Sequence, residues 1–191
     1  MPTENAPLVS VLLPFHNAAQ TIRDCIDSIL AQTLTAIEVI AVNDFSNDDS
    51  VELLQQYSDD RIRVVESNRR GLVSALNTGL AYCAAPMVAR MDADDIMYPD
   101  RLEKQYDYLR QHQDLVLVAA QARKFPQASI RNGYREYMRW QNSVLSSEDI
   151  QNQIYIESPF AHPSVMFRRD RVIAAGGYRH GEFPEDYELW L

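Results

Sequence analysis

The chain has 191 residues, 46% hydrophobic and 24% charged, with a formal net charge of -9. That length suits one domain, which buries roughly 70% of the surface its unfolded chain exposes. The acidic balance argues against a nucleic-acid partner, because polyphosphate binding is driven largely by Lys and Arg. The two cysteines, Cys25 and Cys83, are too few and too widely spaced for a zinc site or a disulfide framework. Met1 to Pro7 has neither the basic region nor the apolar run of a signal peptide. Every longer apolar run is strand-sized, so no transmembrane helix is expected. The expected location is cytoplasmic, with any membrane association supplied by segments or partners outside this chain.

Strand and helix patterns alternate through the first half. Leu8 to Phe15 reads as a buried strand, and Ile22, Cys25, Ile26, Ile29 and Leu30 recur at helical spacing over Thr21 to Gln32. Ala36 to Val42 is the second strand, closed by Asn43-Asp44. Ser46-Asn47-Asp48 offers caps for a helix carrying Val51, Leu54 and Tyr57. Arg61 to Val65 is the third strand. Gly71 opens a helix whose face carries Leu72, Leu76, Leu80 and Cys83. Pro86 to Met91 is a fourth strand running into Asp92, Pro99 opens a helix through Leu102, Tyr106 and Leu109, and Leu115 to Ala120 is a fifth strand.

This alternation implies an α/β fold with a mostly parallel sheet and helices on both faces. If strands one, two and three run outward and strand four returns beside strand one, a ligand crevice opens above the C-terminal ends of strands one and four. Pro14 to Asn17, Asp44 and Asp92 to Asp95 all fall there. Beyond Phe125 the pattern weakens. Arg131 to Trp140 mixes Arg with aromatics, Ser146 to Gln153 reads as a short helix, His162 to Arg168 as a strand and Gly176-Gly177 as a turn. The sequence stops at Trp190-Leu191 inside a helical pattern with no terminating signal, so a truncated domain is expected.

In an extended segment residues one and three point the same way, so Asp92 and Asp94 can share a target. Oxygen-only ligands favour Mg2+ or Mn2+; a solvated turn capping a helix is the alternative. Glu185-Asp186, ahead of a helical pattern, reads either as capping acids or as a source of a general base. Arg69-Arg70-Gly71 precedes a helix and suits a phosphate or a solvated loop. Asp44 can accept from a nucleobase imide or simply form a turn. His16 and His162 lack ligand spacing and read as structural. No G-x-G-x-x-G, G-x-x-x-x-G-K-[ST] or G-x-S-x-G motif is present, nor the glycine-rich loop of a sugar nucleotidyltransferase.

Together these pieces resemble the family 2 glycosyltransferases of the GT-A fold. The matching stretches are Val9 to Asn17, Glu38 to Ser46, Asn68-Arg69-Arg70-Gly71, Asp92-Ala93-Asp94-Asp95 and Glu185-Asp186, in the family's order across nearly the whole chain. The resemblance implies a nucleotide-sugar-binding part over about residues 7–121 and the start of an acceptor part over about 122–191. It implies that Asp44 reads a uracil, that Pro14 and Asn17 line the nucleoside pocket with His16 where the family often has Tyr, and that Asn68 and Arg70 belong to the donor site. Asp92 would contact the nucleotide side and join Asp94 in holding Mn2+ or Mg2+. Asp186 would deprotonate a glycan or lipid-linked acceptor, with inversion at the anomeric carbon of a UDP-sugar, in cell-surface glycan synthesis. His162 to Arg168 looks like a stretch common in bacterial members. The alternatives are a non-catalytic nucleotide-sugar-binding module and a nucleotidyltransferase.

Overall fold

A computed structural model describes residues 6–125 and 132–191. The expected alternation is present in strands β1 (Val9–Phe15), β2 (Ile37–Asn43), β3 (Ile62–Glu66), β4 (Met87–Arg90) and β5 (Leu117–Ala119). Helices α1 (Ile22–Leu30), α2 (Ser50–Gln55), α3 (Leu72–Tyr82) and α4 (Arg101–Gln111) separate them. There follow α5 (Asn132–Gln141), α6 (Ser147–Gln153), β6 (Val165–Arg168), α7 (Arg169–Ala174) and α8 (Glu185–Trp190). The aromatic and arginine stretch, which carried no helix expectation, forms helix α5 from Asn132 onward; Arg131 lies outside the described residues.

Strand order is β3-β2-β1-β4-β6-β5. The first four strands are parallel and follow the outward-then-return path expected of them. β6 is antiparallel to both β4 and β5, so the chain after residue 122 completes the sheet begun before it.

β1 is buried along its whole length, as a central strand covered on both faces must be. Val9, Val11, Leu13 and Phe15 pack with Ile22, Ile26 and Ile29 of α1 and Leu102 and Leu109 of α4. On the other side Leu12, Ile40 and Val42 meet Ala75, Leu76 and Leu80 of α3. Gly79 lets α3 approach closely: a Cβ there would fall 2.2 Å from Leu12 Cδ1 and 2.7 Å from Val42 Cγ2. Both cysteines are buried and unpaired.

Two local expectations are corrected. His162 to Ser164 forms a 3-10 turn, and only Val165 to Arg168 is strand. Pro163 has no N–H for a ladder, and Ser164 donates its amide back to Ala161 instead. Asp92 to Asp95 is a turn rather than extended chain, closed by the Asp95 amide donating to the Asp92 carbonyl at 3.2 Å.

Candidate active site

The loops after β1 and β2 are fastened together by side-chain hydrogen bonds. Asn17 adopts a left-handed φ of 51°, a conformation Asn tolerates better than most residues. Its backbone amide donates to Ser46 Oγ at 3.0 Å, and its side-chain oxygen accepts from the Asn47 amide at 2.8 Å. His16 Nδ1 lies 2.7 Å from the Asp44 carbonyl and its Nε2 3.3 Å from Asn17 Nδ2. A carbonyl only accepts, so Nδ1 carries the proton and Nε2 accepts from the Asn17 amide. Ser46 and Asn47, expected as helix caps, therefore tie loops. Asp48 instead accepts from the Ser50 amide at 3.1 Å and from the Ala19 amide at 2.9 Å.

Asp44 Oδ1 accepts from the Gly71 amide at 2.7 Å, so this carboxylate secures the start of α3. Gly71 holds a φ of 115°, which an L side chain rarely adopts. Beside it Arg70 is exposed, with its guanidinium carbon 5.8 Å from the centre of the Phe45 ring. Asn68 is also exposed and uses its amide on Thr78 Oγ1 at 3.2 Å. Neither residue lines the cleft described next.

That cleft has a volume of about 350 Å³ and is lined by Pro14, His16, Asn17, Asp44, Asp92 and Asp94 among others. Six of the eight residues expected to hold a nucleotide sugar thus meet in one place. The turn gathers the carboxylates of Asp92, Asp94 and Asp95 so that one oxygen of each lies within 4.8 Å of the others. Burial, and then the charges of Asp92 and Asp94, push the Asp95 carboxyl up to about 6. Three converging carboxylates form an oxygen-only donor set suited to a hard divalent cation, which would relieve their mutual repulsion.

Arg90 is the residue beside the acidic turn that periodicity does not pick out. It ends β4 with a side chain only 2% exposed and forms an ion pair with Asp92. Its Nε has no hydrogen-bond partner among the described residues. The available signal was a lone cation at the end of an otherwise apolar strand, Met87-Val88-Ala89-Arg90. Arg101 is buried nearby and donates to the carbonyls of Arg90 at 3.1 Å and Val165 at 3.2 Å. Burial pushes its guanidinium down to about 10, the Asp95 charge opposing.

A second group forms where α8 begins. His162, Glu185 and Asp186 also bring one polar atom each within 4.8 Å of the others. His162 is buried, with Nδ1 3.6 Å from Glu185 Oε1 and Nε2 3.2 Å from the Tyr178 hydroxyl. Burial lowers the proton affinity of this imidazole, and the His162 ring in turn holds the Glu185 carboxyl below its ordinary range despite partial burial. His162, read from sequence as an isolated structural residue, thus stands beside the expected base, and the charges of Arg90 and Asp92 reach it.

Residues 10–176 match the sequence profile of the family described as "Glycosyl transferase family 2". The chain belongs to glycosyl transferase family 2. It is 36% identical over 190 residues to the amylovoran biosynthesis glycosyltransferase AmsE of Erwinia amylovora, covering 96% of this chain and 68% of that protein. It is 32% identical over 189 residues to the O-antigen biosynthesis glycosyltransferase WbnJ of Escherichia coli, covering 96% of this chain and 70% of that protein. The fold is that of GT-A glycosyltransferases. It resembles the mannosyltransferase PcManGT of Pyrobaculum calidifontis, solved with GDP-Man and Mn2+, at TM-score 0.71 and 22% identity. It also resembles S. aureus TarS 1-349, solved with UDP-GlcNAc, at TM-score 0.74 and 18% identity. These matches cover 96% and 95% of this family 2 chain but only 51% of each solved chain. No described helix is long and apolar enough to cross a membrane.

Proposed function

We propose that this family 2 chain carries the donor-binding part and the base of an inverting glycosyltransferase. It would move a sugar from a UDP-sugar to a hydroxyl of a glycan or lipid-linked acceptor in cell-surface glycan synthesis. The observation that carries this reading is the cleft shared by Asp44 and the Asp92-Asp94 turn, with the Glu185-Asp186 pair at the start of α8. The names of the relatives, drawn from amylovoran and O-antigen biosynthesis, support the pathway class.

In this reading the outward oxygen of Asp44 accepts the uracil imide while Gly71 holds the other oxygen still. Pro14, His16 and Asn17 form the wall of the nucleoside pocket. Asp94 and Asp92, with Asp95 as a third oxygen donor, would hold Mg2+ or Mn2+, which when bound would supply positive charge for the departing diphosphate. Arg70 and Asn68, just ahead of α3, contribute from the Asp44 side; Arg70 adds a permanent cation. Asp186 takes the proton of the incoming hydroxyl as the sugar is transferred.

The retention of an acid pair next to a buried histidine favours a catalyst over a module that only binds nucleotide sugar, because binding needs no base. The deciding experiment is Asp186→Asn in the full chain. UDP affinity is expected to persist while sugar transfer is lost; turnover close to wild type would reject the assignment.

A further inference from the structure

We propose that His162 and Tyr178 are positioning residues that hold the start of α8, and through it the Asp186 carboxylate, in register with the donor cleft. The inference rests on the proposed role of Asp186 as base.

α8 is six residues long and follows an exposed stretch at residues 179–183. So short a helix has little stability of its own, and its placement depends on side-chain anchors. Its first residue, Glu185, faces His162 Nδ1 at 3.6 Å. That is beyond good hydrogen-bond reach, so the contact is electrostatic. His162 Nε2 lies 3.2 Å from the Tyr178 hydroxyl. The far end of α8 leans on the same imidazole: the Trp190 ring meets it edge-on at 6.0 Å and Phe160 at 5.3 Å. Tyr178 is itself locked, its backbone amide donating to Asn77 Oδ1 at 3.0 Å and its carbonyl accepting from Asn77 Nδ2 at 2.8 Å. The chain of support therefore runs from α3 through Tyr178 and His162 to the first turn of α8.

The proton placement follows from chemistry. A carboxylate only accepts, so the imidazole turns its Nδ1–H toward Glu185, and its Nε2 lone pair accepts from the Tyr178 O–H. Both ring nitrogens are then engaged. This argues against the rival reading of His162, Glu185 and Asp186 as a second cation site, which would need a free imidazole lone pair. Asp186, by contrast, accepts no side-chain hydrogen bond from the described residues that would hold it. It is placed by the backbone on either side of it, and that backbone is placed by Glu185.

The test compares His162→Ala, His162→Asn, Tyr178→Phe and Asp186→Asn in the full chain, reading UDP released from UDP-glucose, UDP-galactose or UDP-N-acetylglucosamine. His162→Ala is expected to lower kcat by ~10–100-fold, the scale of a misplaced reacting group, with UDP affinity unchanged. His162→Asn, which restores an N–H near Nδ1, should recover part of kcat, and Tyr178→Phe should fall in the same direction by less. Combined with Asp186→Asn, His162→Ala should add no further loss. Independently of turnover, amide exchange across Glu185–Trp190 should quicken in His162→Ala while β1 and β4 stay protected. Val172→Ala, which thins the same core at α7 and leaves His162 and Tyr178 in place, controls for lost stability. A wild-type kcat and unchanged α8 exchange in His162→Ala would overturn the proposal, as would an equal kcat loss in Val172→Ala. Full activity of Asp186→Asn would instead overturn the base assignment on which it rests.

Discussion

The Asp44 carboxylate and the Gly71 amide, 2.7 Å apart, join the end of β2 to the start of α3. The joint makes one side of the cleft depend on a backbone conformation only glycine adopts readily. Gly71→Ala meets no atom within 4 Å, so any cost is conformational, about 1–3 kcal/mol for a residue held at that φ and ψ. Thermal melting should report that loss, and UDP affinity should fall with it because Asp44 loses its tether. Asp44→Asn keeps an acceptor for Gly71 and should melt near wild type while binding UDP more weakly.

Asp92 and Asp94 should separate in stability. Asp92 pairs with a buried guanidinium, whereas Asp94 is exposed. Asp92→Ala strands Arg90, a loss of about 3 kcal/mol by analogy with broken buried pairs, or a Tm fall of about 6–12 °C in a chain this size. Asp94→Ala should melt close to wild type. Equal melting temperatures for the two variants would contradict the part assigned to Arg90.

Gly79 should tolerate no side chain. A Cβ there overlaps Leu12 and Val42, which are fully buried and cannot swing outward. Gly79→Ala should cost about 1–3 kcal/mol as an overpacked core, visible as a lower denaturation midpoint with an unchanged slope.

Acid below the ordinary carboxyl range should loosen the β2–α2 loop through Asp48. Partial burial opposes ionisation of this carboxyl, but the hydrogen bonds from Ser50 and the Ala19 amide outweigh it, and its proton affinity is lowered. A lowered value means the folded state binds the proton less readily than the unfolded one. The stability it contributes is present above the ordinary carboxyl value of 3.8 and is lost as pH falls through the lower folded value. Asp48→Asn should therefore flatten the decline in melting temperature below about pH 4.

How far the sequence could be read follows from the range of the interactions. β1 to β4 and their helices alternate locally, and right-handed crossovers restrict their order, so the cleft between Asp44 and Asp92 was accessible from pattern alone. β6 was not placed in the sheet, because nothing in Val165 to Arg168 announces that it slots between β4 and β5 in the opposite direction. His162 reads as isolated because its partners, Tyr178 and Glu185, lie 16 and 23 residues further along the chain, and periodicity carries no information at that range. Arg90 was hidden inside a strand whose apolar character was the stronger signal. The i, i+2 logic that joined Asp92 to Asp94 reached a valid neighbourhood by a wrong geometry. A turn gathers them, and it adds Asp95 as a third acid.

In the proposed function the Asp92-Asp94-Asp95 turn binds the donor diphosphate through a divalent cation. Calorimetric titration of UDP into the wild type and Asp94→Ala, with and without Mn2+, tests it most directly. Tight binding by the wild type only when Mn2+ is present, lost in Asp94→Ala, is the expected result. UDP binding that ignores both the metal and the substitution would contradict it.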